Sequence, residues 1–86
     1  MSPRQVTVLG ATGSIGQQTL SVMALHPTRY QAYALCANRS VEQLYQLCLI
    51  YQPKYAVMVD ESSGLALRQR LGQASPVTVL IGSKAL

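Results

Sequence analysis

Residues 10–16 read Gly-Ala-Thr-Gly-Ser-Ile-Gly, and this stretch decides the fold of the chain. It follows a β-branched run at 5–9 and opens a segment at 14–26 whose apolar residues recur at the helical period. Glycines spaced G-x-x-G-x-x-G between a strand and a helix are a variant of the fingerprint that binds a diphosphate. The sequence therefore predicts a phosphate-binding turn at its first strand–helix junction.

Each glycine has its own expected role in this turn. Gly10 permits the sharp exit from the strand, Gly13 lets a phosphate approach the backbone, and Gly16 lets the helix pack against the sheet. The free amides at the helix start would face the diphosphate. The hydroxyl groups of Thr12 and Ser14 add further hydrogen-bond donors.

Strand-like and helix-like segments alternate along the rest of the chain. Apolar runs at 31–37, 55–59 and 77–81 are separated by helical patterns at 41–51 and 61–71. Short connections between such segments are typical of βαβ units, and right-handed crossovers then give a parallel sheet with helices on its faces. The fold class predicted is α/β: residues 1–86 form the N-terminal part of a Rossmann-like, doubly wound parallel sheet, with about four strands and three helices.

The helices also carry packing and capping signals. In the first helix the 3.6-residue period predicts a buried face of Ile15, Thr19, Val22 and Met23. Ser40 and Gln43 match the S-x-x-Q pattern of a capping box. Asp60 precedes the third helix, and we interpret this aspartate as its N-cap.

A second binding signal follows the second strand, at Asn38-Arg39-Ser40. In dinucleotide-binding folds an acid at this place binds the ribose 2′-hydroxyl of NAD, but no acid is present here. Arg39 can instead pair with the 2′-phosphate of NADP, with Asn38 and Ser40 adding hydrogen bonds. A hydrogen bond to a charged group contributes about 1.5–3 kcal/mol, so Arg39 could favour NADPH over NADH roughly ten- to a hundredfold. The alternative interpretation is a solvated surface arginine.

Composition excludes several classes of function. The net charge of +4 comes from scattered basic residues, which argues against a nucleic-acid groove, and no apolar stretch is long enough for a membrane span. Cys36 and Cys48 cannot complete a zinc site with the single histidine, so we expect buried reduced thiols and a cytoplasmic protein. With 49% hydrophobic and only 12% charged residues, part of the surface is expected to face more protein. Because the chain stops just past the fourth apolar run, it would leave an unpaired apolar edge of the parallel sheet there, so we expect the natural protein to continue beyond Leu86.

The chain resembles the N-terminal segment of the 1-deoxy-D-xylulose 5-phosphate reductoisomerase family. The resemblance rests on residues 10–16 and on Pro-Lys-Tyr-Ala-Val-Met at 53–58, supported by Thr19-Leu20, His26-Pro27 and Ala34-Leu35. It covers the chain to about Leu71 and thins out after it. The residues that match the family's cofactor-binding turn are Thr12, Gly13, Ser14 and Ile15. Asn38, Arg39 and Ser40 align with the family's second cofactor segment, which is often Gly, a basic residue and Asn. This chain departs from that pattern at the first and third positions and keeps the basic residue.

The resemblance implies an activity that spacing alone does not give. Members of this family rearrange and reduce 1-deoxy-D-xylulose 5-phosphate to 2-C-methyl-D-erythritol 4-phosphate with NADPH and a divalent metal, Mg²⁺ or Mn²⁺, in the non-mevalonate route to isoprenoids. They are usually homodimers, and fosmidomycin inhibits them. The family's metal-binding and catalytic residues lie downstream of this segment, so no catalytic residue or metal ligand is assigned here. By itself the segment is expected to be inactive.

Two alternatives stay open from the sequence. Another NADP-dependent enzyme with a Gly-Ala-Thr-Gly turn, such as an aspartate-semialdehyde dehydrogenase, would share the first motif, although the block at 53–58 argues against it. A non-catalytic NADP(H)-sensing module would share both motifs. The sequence downstream would separate these alternatives from the reductoisomerase.

Overall fold

The computed structural model describes residues 3–73 and 75–82. Within them, strands and helices alternate strictly, as the sequence predicts. Their bounds are β1 Arg4–Val8, α1 Ser14–Ala24, β2 Tyr30–Ala37, α2 Val41–Tyr51, β3 Tyr55–Met58, α3 Glu61–Leu71 and β4 Thr78–Ile81.

The strands form one parallel sheet in the order β1-β2-β3-β4. Its register is regular except in β1, where Val6 pairs with Ala32 but Thr7 pairs with Ala34. Each crossover steps to the next strand in the same direction, so right-handed connections place all three helices on one face. The predicted parallel α/β fold of four strands and three helices is confirmed.

The core lies between that face of the sheet and the helices. Leu20 of α1, Leu44 of α2 and Leu67 of α3 are fully buried there, against alternate residues of each strand. The intervening strand residues line an open apolar groove of about 440 Å³ on the opposite face. The full lining, which includes Leu9 just after β1, is Thr7, Leu9, Tyr33, Ala34, Cys36, Tyr55, Val57 and Leu80. The described part of the chain thus covers the sheet with helices on one side.

The predicted buried face of α1 is wrong in part. Ile15 is 80% exposed, Val22 is 56% exposed and Thr19 is exposed as well, whereas the buried residues of the helix are Gly16, Leu20 and Met23. The helix is rotated relative to the predicted orientation because Gly16 must face the turn that precedes it. Leu20 and Met23 follow at steps of four and three residues and therefore lie on the same buried side. The helix also ends at Ala24, before the predicted end at His26.

One of the two predicted N-caps is confirmed. The Asp60 side chain accepts a hydrogen bond of 3.0 Å from the Ser63 backbone N–H, which caps α3. Ser40 makes no side-chain cap, so the predicted capping box is wrong. The reason is local: the Val41 N–H donates to the Arg39 carbonyl at 2.8 Å, and Ser40 adopts φ −78° and ψ 76°. These angles are those of an inverse γ-turn, not of the extended residue that a cap requires.

Both cysteines are free and buried, as predicted. Burial raises the pKa of the Cys48 thiol to about 11 and also raises the pKa of Cys36. In the ranges 3–73 and 75–82, no helix combines the length and the apolar character that a membrane crossing needs.

Candidate functional site

The glycine-rich turn joins β1 to α1 at the carboxyl edge of the sheet. Gly10 has φ +60°, in the left-handed region that glycine adopts without strain. The Gly13 N–H donates to the Gly10 carbonyl at 2.9 Å, which closes the turn. The Ala11 N–H donates to the Cys36 carbonyl at 2.8 Å, so the turn is also tied to the end of β2.

Gly16 is required by the packing of α1 on this turn. A Cβ at residue 16 would overlap the Gly10 carbonyl oxygen and lie 2.8 Å from the Ala11 Cα. Both neighbours are backbone atoms, which cannot move aside as a flexible side chain can. Gly16 permits close packing, as expected, but the expected partner is wrong: the close contacts are with the turn and not with the sheet.

Gly13 is different, because the fold itself leaves room for a side chain there. Its φ of −82° is open to any residue, and a Cβ would meet only the Gly10 oxygen, at 3.4 Å. The residue is exposed and lines a wide groove of about 900 Å³ beside α1. A requirement for glycine at residue 13 would therefore come from a ligand that approaches the backbone.

The N-terminus of α1 has no side-chain cap. Gly13 is the N-cap residue, and the first turn of the helix carries no acidic residue. The first helical hydrogen bond runs from the Gln17 N–H to the Gly13 carbonyl at 2.9 Å. The amides of Ser14, Ile15 and Gly16 therefore precede the hydrogen-bonded ladder and point out of the helix end. Such an end favours an anion through both its N–H groups and its dipole.

Sequence reasoning missed the side chain of Gln17. Its Nε2 donates to the Thr12 carbonyl at 2.9 Å, one helical turn from the glycine turn. This hydrogen bond braces the loop that leads into α1. A glutamine is too common on exposed helices for its type alone to have signalled this role.

The second predicted segment, Asn38-Arg39-Ser40, forms the junction between β2 and α2. Asn38 is exposed, and the Arg39 side chain is 80% exposed. The inverse γ-turn at Ser40 leaves the serine hydroxyl uninvolved in capping. The segment thus presents an amide, a guanidinium and a hydroxyl group at the rim of the sheet.

The two predicted segments lie at the same edge of the sheet. They follow β1 and β2, which are neighbouring parallel strands. The hydrogen bond from Ala11 to Cys36 joins the glycine turn to a residue just two before Asn38. Carboxyl ends of adjacent strands are where open α/β sheets bind their ligands.

Asp60, which the sequence assigned to capping alone, lies beside Arg39. Its Oδ1 is 3.9 Å from the Arg39 Nε, and its backbone N–H donates to the Asn38 carbonyl at 3.1 Å. Hydrogen bonds from the Ser63 hydroxyl and N–H and from the Ser62 hydroxyl lower the pKa of this carboxyl, and the charge of Arg39 lowers it further. The available signal was topological: Asp60 follows β3, the strand next to β2.

Residues able to hold a metal are not brought together in the described ranges. No group of three His, Cys, Asp or Glu side chains lies close enough there to bind a metal ion. We therefore assign no metal ligand to this segment.

Comparison with known proteins identifies the family. The chain matches the family described as 1-deoxy-D-xylulose 5-phosphate reductoisomerase over residues 6–86. The chain belongs to this family. A reductoisomerase of that name from Aromatoleum aromaticum is 54% identical over 84 residues, and one from Nitrosococcus oceani is 52% identical over 82 residues. These matches cover 96% and 94% of the chain, which spans about a fifth (21%) of the length of either relative.

Solved reductoisomerases have the same fold in this region. The chain aligns with the enzyme from Zymomonas mobilis in complex with NADPH at a TM-score of 0.90 and 42% identity, over 99% of the chain and 22% of that protein. A second reductoisomerase, in complex with NADPH, fosmidomycin and magnesium, aligns at a TM-score of 0.88 and 30% identity, over 95% of the chain and 20% of that protein. The Rossmann-like architecture of the segment is therefore a family feature.

Proposed function

We propose that this chain is the NADPH-binding segment of a 1-deoxy-D-xylulose 5-phosphate reductoisomerase. The complete enzyme would isomerise and reduce its phosphosugar substrate to 2-C-methyl-D-erythritol 4-phosphate. Two kinds of support converge: the family match over residues 6–86, and the complexes of similar solved enzymes with NADPH. The same match removes the basis for the dehydrogenase and sensor alternatives.

The observation that carries the proposal is the uncapped start of α1. Within residues 3–73 and 75–82, no side chain caps the amides that follow Gly13, whereas the Asp60 side chain accepts a hydrogen bond from the Ser63 N–H at the start of α3. The residues that we assign to the cofactor diphosphate are Gly10, Thr12, Gly13, Ser14, Ile15 and Gly16. The glycines provide access to the backbone, the amides supply donors, and the hydroxyl groups of Thr12 and Ser14 extend them.

We assign the 2′-phosphate of NADPH to the β2–α2 junction. Arg39 would bind the phosphate through its guanidinium, and Asn38 and Ser40 would add hydrogen bonds. Two observations fit this role: the Arg39 side chain is exposed, and the Ser40 hydroxyl does not cap α2. When bound, NADPH supplies the hydride, so the work of these residues is to hold and orient the cofactor.

Other features of the complete enzyme belong to the same proposal. A divalent metal, Mg²⁺ or Mn²⁺, would be bound by residues outside this segment, and one solved relative is described as a complex with magnesium. Assembly as a homodimer rests on the family resemblance alone. A cytoplasmic location is supported by two free, buried thiols, Cys36 and Cys48.

The test is a charge reversal at Arg39 in the complete protein. Arg39→Asp should weaken NADPH binding at least tenfold and narrow the ratio of NADPH to NADH affinity, because a guanidinium–phosphate contact becomes a repulsion. Binding is measured by titrating nicotinamide fluorescence. Arg29→Asp is the matched control, since Arg29 is exposed and precedes β2 at the opposite edge of the sheet. Unchanged cofactor selectivity in Arg39→Asp would refute the assignment of the 2′-phosphate.

A further inference from the structure

The two carboxylate oxygens of Asp60 have different partners. Oδ2 accepts hydrogen bonds from the Ser62 hydroxyl at 2.9 Å, the Ser63 N–H at 3.0 Å and the Ser63 hydroxyl at 2.7 Å. Oδ1 faces the guanidinium of Arg39, 3.9 Å from its Nε. A single carboxylate therefore caps α3 and also stands beside the arginine assigned to the 2′-phosphate.

We propose that Asp60 is a specificity-determining residue, whose negative charge weakens binding of the 2′-phosphate at Arg39 and so limits the preference for NADPH over NADH. This inference rests on the proposed NADPH-binding function. The inference adds Asp60, which follows β3, to the two cofactor segments, which follow β1 and β2.

Asp60 cannot easily turn away from an incoming phosphate. Three hydrogen bonds hold Oδ2 at the start of α3, and the backbone N–H of Asp60 is bonded to the Asn38 carbonyl. The β3–α3 junction is thus fixed against the segment that contains Arg39. The carboxyl is ionised at neutral pH, as an ordinary aspartate is, and the hydrogen bonds from Ser63 and Ser62 lower its pKa further.

Two effects of Asp60 oppose each other, and their sizes decide the sign. The carboxylate could help by orienting Arg39, but exposed ion pairs contribute little, and this one joins an arginine that is 80% exposed across 3.9 Å. The 2′-phosphate would bring nearly two negative charges to the same guanidinium. The Asp60 carboxylate would then lie well within the screening length of about 8 Å from these charges. Repulsion should therefore outweigh orientation. NADH has a hydroxyl group in place of the 2′-phosphate, so its binding should be almost insensitive to the charge of Asp60.

The test compares cofactor affinities in the complete protein. Asp60→Asn removes the charge and retains a residue that caps helices well, and Asp60→Ser is a second variant of the same kind. The expected result is NADPH binding that is roughly three- to tenfold tighter, a gain that shrinks at high salt. NADH affinity should change by less than about twofold, on the same reasoning. Glu61→Gln is the control, because it removes an exposed charge from the adjacent residue, which makes no ion pair with Arg39.

The outcomes separate this inference from the function beneath it. NADPH binding that is weakened or unchanged in both Asp60 variants would overturn the inference, as would equal gains for NADPH and NADH. An equal gain in Glu61→Gln would overturn it too, since the effect would then be general electrostatics. Failure of the unaltered protein to bind NADPH would instead refute the proposed function. Indifference of NADPH binding to Arg39→Ala would refute the assignment of the 2′-phosphate, and the inference would be refuted with either.

Discussion

Substitution of the two glycines on either side of the start of α1 should separate ligand binding from folding. The perturbations are Gly13→Val and Gly16→Ala in the complete protein. At residue 16 the new Cβ would clash with three backbone atoms of Gly10 and Ala11. At residue 13 it would meet a single atom at 3.4 Å, with a backbone conformation open to every residue.

The magnitudes follow from these contacts. Overpacking costs about 1–3 kcal/mol, and the rigid backbone around Gly16 favours the upper end. The gain in helix propensity from glycine to alanine returns about 1 kcal/mol, so Gly16→Ala should lower the free energy of unfolding by about 2 kcal/mol. Gly13→Val should cost only about 0.5–1 kcal/mol, the usual loss when a helix cap is replaced by an apolar residue. Its methyl groups would occupy the space of a phosphate and remove one or two charge-assisted hydrogen bonds, which corresponds to a roughly ten- to hundredfold loss of NADPH affinity or more.

The assay pairs thermal unfolding with titration of nicotinamide fluorescence on the same preparations. Gly13→Val should unfold close to the unaltered protein yet bind NADPH poorly, and Gly16→Ala should show the larger drop in unfolding temperature. Normal NADPH affinity in folded Gly13→Val would refute the assignment of the diphosphate to this turn. Unfolding of Gly13→Val as severe as that of Gly16→Ala would instead refute the inference that the fold leaves room at residue 13.

Three further predictions concern stability. As the pH falls below the ordinary aspartate pKa of 3.8, the unaltered protein should lose more stability than Asp60→Asn, because hydrogen bonds from Ser63 and Ser62 hold the pKa of Asp60 below that value. The contribution of the carboxylate is present above pH 3.8 and is lost as the pH falls through the lowered pKa, so equal acid titrations by circular dichroism would contradict the prediction. Burial raises the pKa of Cys48 from 9.0 to about 11, so this thiol should react with a thiol reagent only as fast as the protein opens. The contribution of the buried neutral thiol to stability is complete below pH 9.0 and is lost as the pH rises toward 11. Cys48→Ala should reduce this loss of stability at high pH. Arg70→Ala should cost roughly 1 kcal/mol in denaturant titration, since Arg70 pairs with Glu42 at 2.8 Å and stacks 4.3 Å from the Tyr45 ring; no loss at all would show that water replaces both contacts.

Much of the fold was accessible from sequence because its signals are local. The bounds of α2 and α3 follow directly from apolar periodicity and from Asp60 and Gly72, and the structure reproduces them. The glycine turn was equally accessible, since left-handed backbone at Gly10 and close approach at Gly16 each require the residue that the sequence provides.

What sequence reasoning missed depends on backbone geometry and contacts that residue patterns do not encode. The rotation of α1 is set by Gly16 against Gly10, which exposes Ile15 despite its apolar character. The failed cap at Ser40 depends on a γ-turn that the S-x-x-Q pattern does not encode. The approach of Asp60 to Arg39 crosses from one strand end to the next and appears only once the strand order is known.

The bare face of the sheet has a practical consequence for anyone who expresses residues 1–86 alone. On this face the rings of Tyr33 and Tyr55 meet edge to face, with their centroids 5.4 Å apart, and the Lys54 ammonium lies 5.6 Å from the centre of the Tyr55 ring. The described helices all pack on the other face of the sheet. Exposed apolar surface of this kind drives self-association in isolation. Binding titrations on the isolated segment would then report self-association rather than nucleotide affinity. A solubilising fusion partner would need to cover this face of the sheet before a binding constant could be interpreted.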